Sequence, residues 1–252
     1  MNVINLGSSS AGNCFYIELE RENQPPVKLM LEAGFPYFEI VKKASRESID
    51  LNSIDAVLVT HGHMDHAKAV KDLITHRKKV FSNVDVISRF NGDNANVLEH
   101  DNIRMIAIDT KVMPVAVEHD APGSLGFVIT TGIENILFVN DCKLFKADLS
   151  NIAFDYVFIE ANYDDQILHI AYNNAKKEND ASNIKRYERL FDSHMSLTHC
   201  IRHLQRLDLK NCKAIFLMHL SERHANANKF KNEVKKVIGI NTFICKKAGG
   251  LL

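Results

Sequence analysis

The run Thr-His-Gly-His-Met-Asp-His at positions 60–66 sets three imidazoles and a carboxylate, His61, His63, Asp65 and His66, within six residues. Neutral imidazole and carboxylate are both ligands for zinc and similar transition metals. Packing gives no reason for so many titratable side chains in so short a stretch. The run follows "IDAVLVT", a continuous apolar and β-branched segment, and precedes "HAKAVKDLI", which has helical character. A loop leaving a buried strand can turn alternate side chains, His61 and His63, toward one metal ion. Asp65 and His66, at the start of the helix, can then face a second.

The flanking elements that must hold such a loop are legible as short apolar runs between turn signals. "VINLG", "CFYIELE" and "VKLMLEAG" read as strands bounded by "SSSAGN" and "RENQPP". Pro36 suits the start of a helix over "PYFEIVKKA". The middle is β-rich, with "IRMIAI", "MPVAVEH", "GFVIT", "NILFVND" and "YVFIEAN" as strands. Residues 173–183, "NNAKKENDASN", are polar and read as an exposed loop. Helices are expected over "IKRYERLF", over "LTHCIRHLQRL" with Leu197, Cys200, Ile201 and Leu204 at i, i+3, i+4 and i+7, and over "FKNEVKKVIG". "AIFLMHL" is a last buried strand. With no linker or repeat, one α/β domain over 1–252 is expected, its sheets layered with helices.

Composition narrows the class. Lys+Arg and Asp+Glu both total 31, so the basic excess that drives nucleic-acid binding is absent from the chain as a whole. No apolar run is long enough to span a bilayer, and the N-terminus lacks the pattern of a secretory signal. Five well-separated cysteines without a CxxC pair point to reduced thiols in the cytoplasm.

"HGHMDH" resembles the HxHxDH signature of the metallo-β-lactamase superfamily, whose fold is an αββα sandwich of two mixed sheets flanked by helices with a two-metal site at one edge. The resemblance implies three further ligands in fixed order, each after a strand. His119 in "VAVEHD", Asp141 in "ILFVND" as the bridging carboxylate, and His219 in "IFLMHL" fill those places. The cofactors implied are two divalent metal ions, zinc first and manganese as the alternative. Where the family often carries an aspartate in a "DxG" turn, "LEAG" supplies Glu32 as the buttressing carboxylate. "GSSSAGN" is read as a structural turn.

Two metals about 3.5–4 Å apart can share a hydroxide and polarise the group under attack, so the metal site alone does not name the bond. "FIEANYDD" and "SHMSL" resemble the HEAT and HST motifs of the RNase Z-like phosphodiesterase branch, in which a glutamate orients a histidine that acts on the departing oxygen. Glu160 and His194 match those residues, and Asp65, Glu160 and His194 are the catalytic candidates. An alkoxide leaves poorly, so a positioned general acid contributes roughly 10²–10⁴-fold. His194 is placed just before a helix. His199 and His203, one helical turn apart, are read as a partly exposed helix face. His76, His100, His169 and His224 are read as surface or loop residues, with His224 able to reach substrate.

"GSSSAGNC", "SHMSL" and "LMHLS" are similar to motifs of compact phage and prophage proteins of this fold, including anti-Pycsar cyclic-nucleotide phosphodiesterases. That resemblance and the zero net charge imply a small cyclic nucleotide as substrate. A DNA or RNA nuclease using the same residues is the alternative, and a lactonase or thioesterase a weaker one. No tRNA-gripping arm is evident. A cytoplasmic homodimer without a membrane partner is expected, with the segment 163–191, carrying Tyr163, Tyr172 and Tyr187, contributing to an interface or covering the pocket.

Overall fold

The structure, a computed structural model, describes residues 1–90 and 92–251. One sheet holds β1 (Asn2–Gly7), β2 (Cys14–Arg21), β3 (Gln24–Leu31), β4 (Ala56–Leu58), β5 (Val80–Ser82) and β6 (Ala95–Val97) in that spatial order. The other holds β7 (Arg104–Ala107), β8 (Thr110–Glu118), β9 (Leu125–Thr130), β10 (Asn135–Val139), β11 (Leu144–Phe145), β12 (Tyr156–Glu160), β13 (Ala214–Met218) and β14 (Thr242–Ile244), ordered β11-β8-β9-β10-β12-β13-β14 with β7 beside β8. A short strand, β15 (Gly250–Leu251), returns to the outer edge of β1. Both sheets are mixed. β1 to β3 pair antiparallel and β3 to β6 parallel, while β8, β9 and β10 pair antiparallel and β10, β12, β13 and β14 parallel.

Strand side chains alternate between faces, and that alternation builds three separate cores. Phe15, Ile17 and Leu19 of β2 point inward, where they meet Phe127, Phe138, Phe158 and Phe216 from the other sheet. Phe138 has Phe15, Phe127 and Phe158 at centroid distances of 5.6, 6.4 and 6.0 Å, so aromatic rings fill the space between the sheets. The intervening residues, Cys14 and Tyr16 of β2, face an outer core with helices α1 (Tyr37–Arg46), α3 (Val70–Thr75) and α4 (Val84–Ile87). Val157 and Ile159 of β12 face the opposite outer core, where α7 (Leu197–Leu204) contributes Leu197, Cys200 and Leu204, and α8 (Ala227–Ile238) contributes Phe230 and Val234. Helix, sheet, sheet, helix is therefore the order of layers, as the resemblance implies.

The polar run 173–183 is not a loop. Helix α5 (Asp165–Lys177) runs through its first half and α6 (Ala181–Ser193) begins in its second, so only 178–180 turn the chain. Asp164 and Asp180 cap the two helices by accepting from Gln166, Ile167 and Asn183 backbone amides. Lysine, glutamate and asparagine here are the solvated faces of a helical hairpin, not turn residues. Tyr172 donates to Glu188 at 2.9 Å across that hairpin, and Tyr163 and Tyr172 both pack edge-on to Phe191. "HAKAVKDLI" is also more broken than expected, with α2 (Met64–Ala67) separate from α3. No helix among the described residues is long and apolar enough to cross a membrane, and all five cysteines are free.

Candidate metal centre

β4, β8, β10, β12 and β13 all end at one edge of the sandwich, and each carries a candidate residue just at or beyond its last residue. Thr60 and His61 follow β4, His119 follows β8, Asp141 follows β10, Glu160 ends β12, and His219 follows β13. Carboxyl ends of parallel strands are where open α/β sheets present their ligand sites, because the backbone there is free to turn side chains across the edge. The turning is visible in the backbone. Glu32, Asp141 and His219 have φ of 65°, 45° and 54°, a left-handed conformation that costs non-glycine residues free energy and re-aims the side chain.

Three peptide segments are stitched together beneath the site. Asn13 N–H donates to Asp65 O at 2.8 Å, Gly34 N–H to Asn13 O at 2.9 Å, and Ala33 N–H to His66 O at 2.7 Å. Gly34 packs so closely on this crossing that a Cβ there would lie 1.7 Å from Asp65 O, so no other residue fits. The "GSSSAGN" turn is part of that support. Ser8 Oγ accepts from His219 N–H at 2.9 Å, and Asn13 Nδ2 donates to Ser9 O and Asp65 O.

The seven candidate ligands converge in two groups. In the first, His61 Nε2 and His119 Nε2 lie 3.1 and 3.2 Å from His63 Nδ1. Three ring nitrogens cannot satisfy one another at such distances, but ligands on a tetrahedral zinc at about 2.0–2.1 Å are separated by about 3.3 Å. Their other ring nitrogens are engaged. His119 Nδ1 donates to Ser193 O at 2.7 Å, and His61 Nδ1 lies 2.9 Å from Thr60 Oγ1, which donates to Glu32 Oε1 at 2.7 Å. Outer partners of this kind fix the tautomer that leaves Nε2 a lone pair.

In the second group, Asp65, His66, Asp141 and His219 meet, all but Asp65 buried. His66 Nε2 is 3.3 Å from Asp141 Oδ2 and 3.5 Å from Asp65 Oδ2. His219 Nε2 is buried with no hydrogen-bond partner, and Asp141 Oδ1 has only the His219 Nδ1 contact at 3.0 Å, which a protein tolerates where a cation completes the site. An unpartnered ring nitrogen among converging imidazoles and carboxylates fits a pair of divalent ions.

The electrostatics divide the same way. Burial and the neighbouring histidines hold His61 and His63 below the ordinary histidine range. Around His66 burial works in the same sense, but Asp141 and Glu32 overcome it and push its pKa well up. His219 is likewise driven up to about 10 by Asp141, Asp65 and Glu160 against the cost of burial. Convergent carboxylates thus collect positive charge at this edge.

Glu160 and His194 sit directly beside the second group. His194 Nδ1 is 2.6 Å from Glu160 Oε1, whose other oxygen accepts from the Cys142 and Met195 amides at 2.7 and 3.2 Å. Burial opposes the charged form of Glu160, but attraction and hydrogen bonds from His194 and His219 outweigh it and hold its pKa below the usual value. His194 does precede a helix, α7, but it also closes the C-terminus of the 13-residue α6, with its N–H on Leu190 O at 3.1 Å.

A profile describing a Beta-lactamase superfamily domain matches residues 33–220. The chain belongs to that superfamily. Exodeoxyribonuclease WalJ of Streptococcus pneumoniae is 24% identical over 175 residues, 65% of this chain and 63% of the relative, so the match spans less than two thirds of that protein. Superfamily structures share the fold at low identity. The metallo-β-lactamase fold protein YhfI from Bacillus subtilis is 14% identical with a TM-score of 0.71, covering 98% of this chain and 96% of the other. Zinc-bound PqqB from Methylobacterium extorquens is 14% identical with a TM-score of 0.67, covering 100% and 99%. Human tRNase Z, short form, is 15% identical with a TM-score of 0.60, covering 98% and 97%.

Several residues of this superfamily domain's site lay outside the sequence reading. Asp120 Oδ1 is 3.1 Å from His119 Nε2, while its other oxygen pairs with Arg189 at 2.5 Å. Adjacency to His119 in "VEHD" was the signal available. Arg186 and Arg189, one turn apart on α6, line a cleft of about 380 Å³ with Ser9, His194, His219 and Arg223. Their i, i+3 spacing was visible, but only the fold brings them to the metal edge. His224 is buried rather than superficial, and His203 packs on Phe145 with ring centroids 4.2 Å apart instead of lying on an exposed face.

Proposed function

We propose that this chain is a metal-dependent phosphodiesterase acting on DNA or RNA, with His194 as general acid held by Glu160. The observation that carries the reading is the 2.6 Å contact of His194 Nδ1 with Glu160 Oε1 beside the two ligand groups. His61, His63 and His119 would hold one divalent ion, Asp65, His66 and His219 the other, with Asp141 serving both. Zinc suits this nitrogen and oxygen set, and manganese is the alternative. When bound, the two ions supply an acidified water and positive charge beside the phosphoryl group.

The chain's own residues do the rest. With Nδ1 committed to Glu160, Nε2 of His194 is the atom left to deliver a proton. As water adds to phosphorus and the P–O bond to the leaving group breaks, that proton goes to the departing oxygen. Glu160 stabilises the imidazolium that precedes transfer. Asp120, paired with Arg189, borders the site beside His119.

Nucleic acid stands first because the sequence relative from Streptococcus pneumoniae is an exodeoxyribonuclease and human tRNase Z shares the fold. Cyclic nucleotides are the second reading, favoured by a cleft whose volume of about 380 Å³ suits a single nucleotide and by the zero net charge. The test is turnover of single-stranded DNA, RNA, 3′,5′-cyclic nucleotides and a lactone by zinc- or manganese-loaded protein. Cleavage of DNA or RNA that EDTA abolishes is expected. Turnover of cyclic nucleotides alone gives the second reading, and turnover of the lactone alone removes the phosphodiesterase assignment.

A further inference from the structure

Helix α6 carries a row of functional groups outward from the metal edge. His194 closes the helix, and Arg189 follows inside the cleft. Asp65 and Asp141 both act on the Arg189 guanidinium, so it lies within electrostatic reach of the second ligand group. Arg186 stands one helical turn farther out, about 5–6 Å along the face. The loop after His219 brings Arg223 into the same cleft.

Arg189 is neutralised by Asp120, and Lys247 by Glu222 at 2.6 Å, the one acid lining this cleft. Arg186 and Arg223 form no ion pair among the described residues. Both line this cleft and act electrostatically on the same buried neighbour. His224, packed edge-on to Tyr187 at 5.3 Å, is kept neutral first by burial and then by Arg186 and Arg223 together. Two unpaired guanidinium groups lining one cleft repel each other, and an anion held by both turns repulsion into charge-assisted hydrogen bonds. The planar fork of arginine matches phosphate in particular.

This anion position is distinct from that of the reacting phosphoryl group, which belongs with the ligand clusters and Arg189. We infer that Arg186 and Arg223 form a subsite for a second, non-scissile phosphate on the leaving-group side, a reading that rests on the phosphodiesterase assignment. The side follows from His194, which delivers its proton to the departing oxygen and shares helix α6 with Arg186. A cyclic mononucleotide has only one phosphate and leaves this subsite unused. A nucleic-acid strand, or its phosphorylated end, fills both.

The experiment compares kcat/KM of the metal-loaded protein on dithymidine monophosphate with and without a terminal phosphate, placed at the 5′ end in one substrate and the 3′ end in another. One of the two terminally phosphorylated forms is expected to exceed the bare dinucleotide by about 10–100-fold. That ratio should fall close to one in Arg186→Ala and in Arg223→Ala, and recover in part in Arg186→Lys. Because each ratio is internal to one protein sample, partial misfolding of a variant leaves it intact. A wild-type ratio near one, or variants that keep the wild-type ratio, overturns the subsite. Turnover of bis(p-nitrophenyl) phosphate by the wild-type protein, a diester with no second phosphate, tests the underlying assignment separately. Hydrolysis of that compound together with a ratio near one leaves the phosphodiesterase standing and removes the subsite, whereas no hydrolysis of any diester removes both.

Discussion

His219 and His203 are both buried histidines, 3% and 8% exposed, and their surroundings give them opposite chemistry. His219 stands among Asp65, Asp141 and Glu160, and its pKa rises to about 10. His203 lies flat on Phe145, with no carboxylate near it, and burial followed by Arg206 and His199 brings its pKa down to about 4. Burial alone removes charge from an imidazole. Only convergent carboxylates restore it, and that convergence separates the second ligand group from a packing contact.

The sharpest way to break the comparison is to remove the carboxylate on which it turns. Asp141 Oδ2 reaches His66 at 3.3 Å and His119 at 3.8 Å, and Oδ1 reaches His219 at 3.0 Å, so one residue touches both ligand groups. Asp141→Ala should take metal content from two ions per chain to near zero, with turnover falling to background. That exceeds the ~10–100-fold that loss of an outer partner costs. Elemental analysis after dialysis reads it directly. Retention of one tightly bound ion would mean that the three-histidine group stands alone.

His194→Ala tests the other half of the edge. The expected outcome is metal content close to wild type with kcat lowered roughly 10²–10⁴-fold, the usual contribution of a general acid. The loss should shrink on a substrate with a p-nitrophenolate leaving group, which needs no proton. Since His194 also lies 4.0 Å from Asp141 Oδ2, loss of an ion in this variant would make it a ligand and remove the acid role.

How legible these roles were in the sequence follows from the distance over which each is built. "HGHMDH" is local, so its density of ligands shows without a fold, and the strand ends at His119, Asp141 and His219 show as apolar runs with a polar last residue. The sandwich is legible through the resemblance that "HGHMDH" carries, since in β2 the inward Phe15, Ile17 and Leu19 and the outward Cys14 and Tyr16 are all apolar and read as one continuous run. Contacts made across the chain are not legible. Arg186 and Arg223 are separated by 37 positions, and nothing local distinguishes them from solvated surface charges. "IKRYERLF" marks most of α6, but α5 and the first turn of α6 are hidden because their solvent faces are rich in asparagine and lysine, residues that also make turns. His203 misled for a similar reason. It lies three residues after Cys200 and one before Leu204, beside the buried stripe of α7, and the i, i+4 pairing with His199 drew attention to the wrong face.

His203 also gives the smallest and most discriminating expectation. Its folded-state pKa, about 4, lies below the ordinary value of 6.5. Above pH 6.5 the ring is neutral in both folded and unfolded chains, and stability is unaffected. As pH falls from 6.5 toward 4, the unfolded chain takes up a proton that the folded ring resists, so stability declines through that window. Arg206, Arg202, His199 and Lys146 line the same pocket, and no acid there can relieve the charge. The ring edge meets solvent, which reduces the effect to about 1 kcal/mol, or roughly 2–4 °C in Tm for a chain of this size. His203→Leu, close in volume and apolar, should remove that part of the decline, so the difference in Tm between pH 7.5 and pH 5 becomes smaller than in wild type. Measured on metal-loaded protein, the difference excludes the histidines of the metal edge, whose protons a bound ion would displace. An unchanged pH dependence would place His203 in a more polar setting than its stacking on Phe145 implies, and would weaken the contrast with His219.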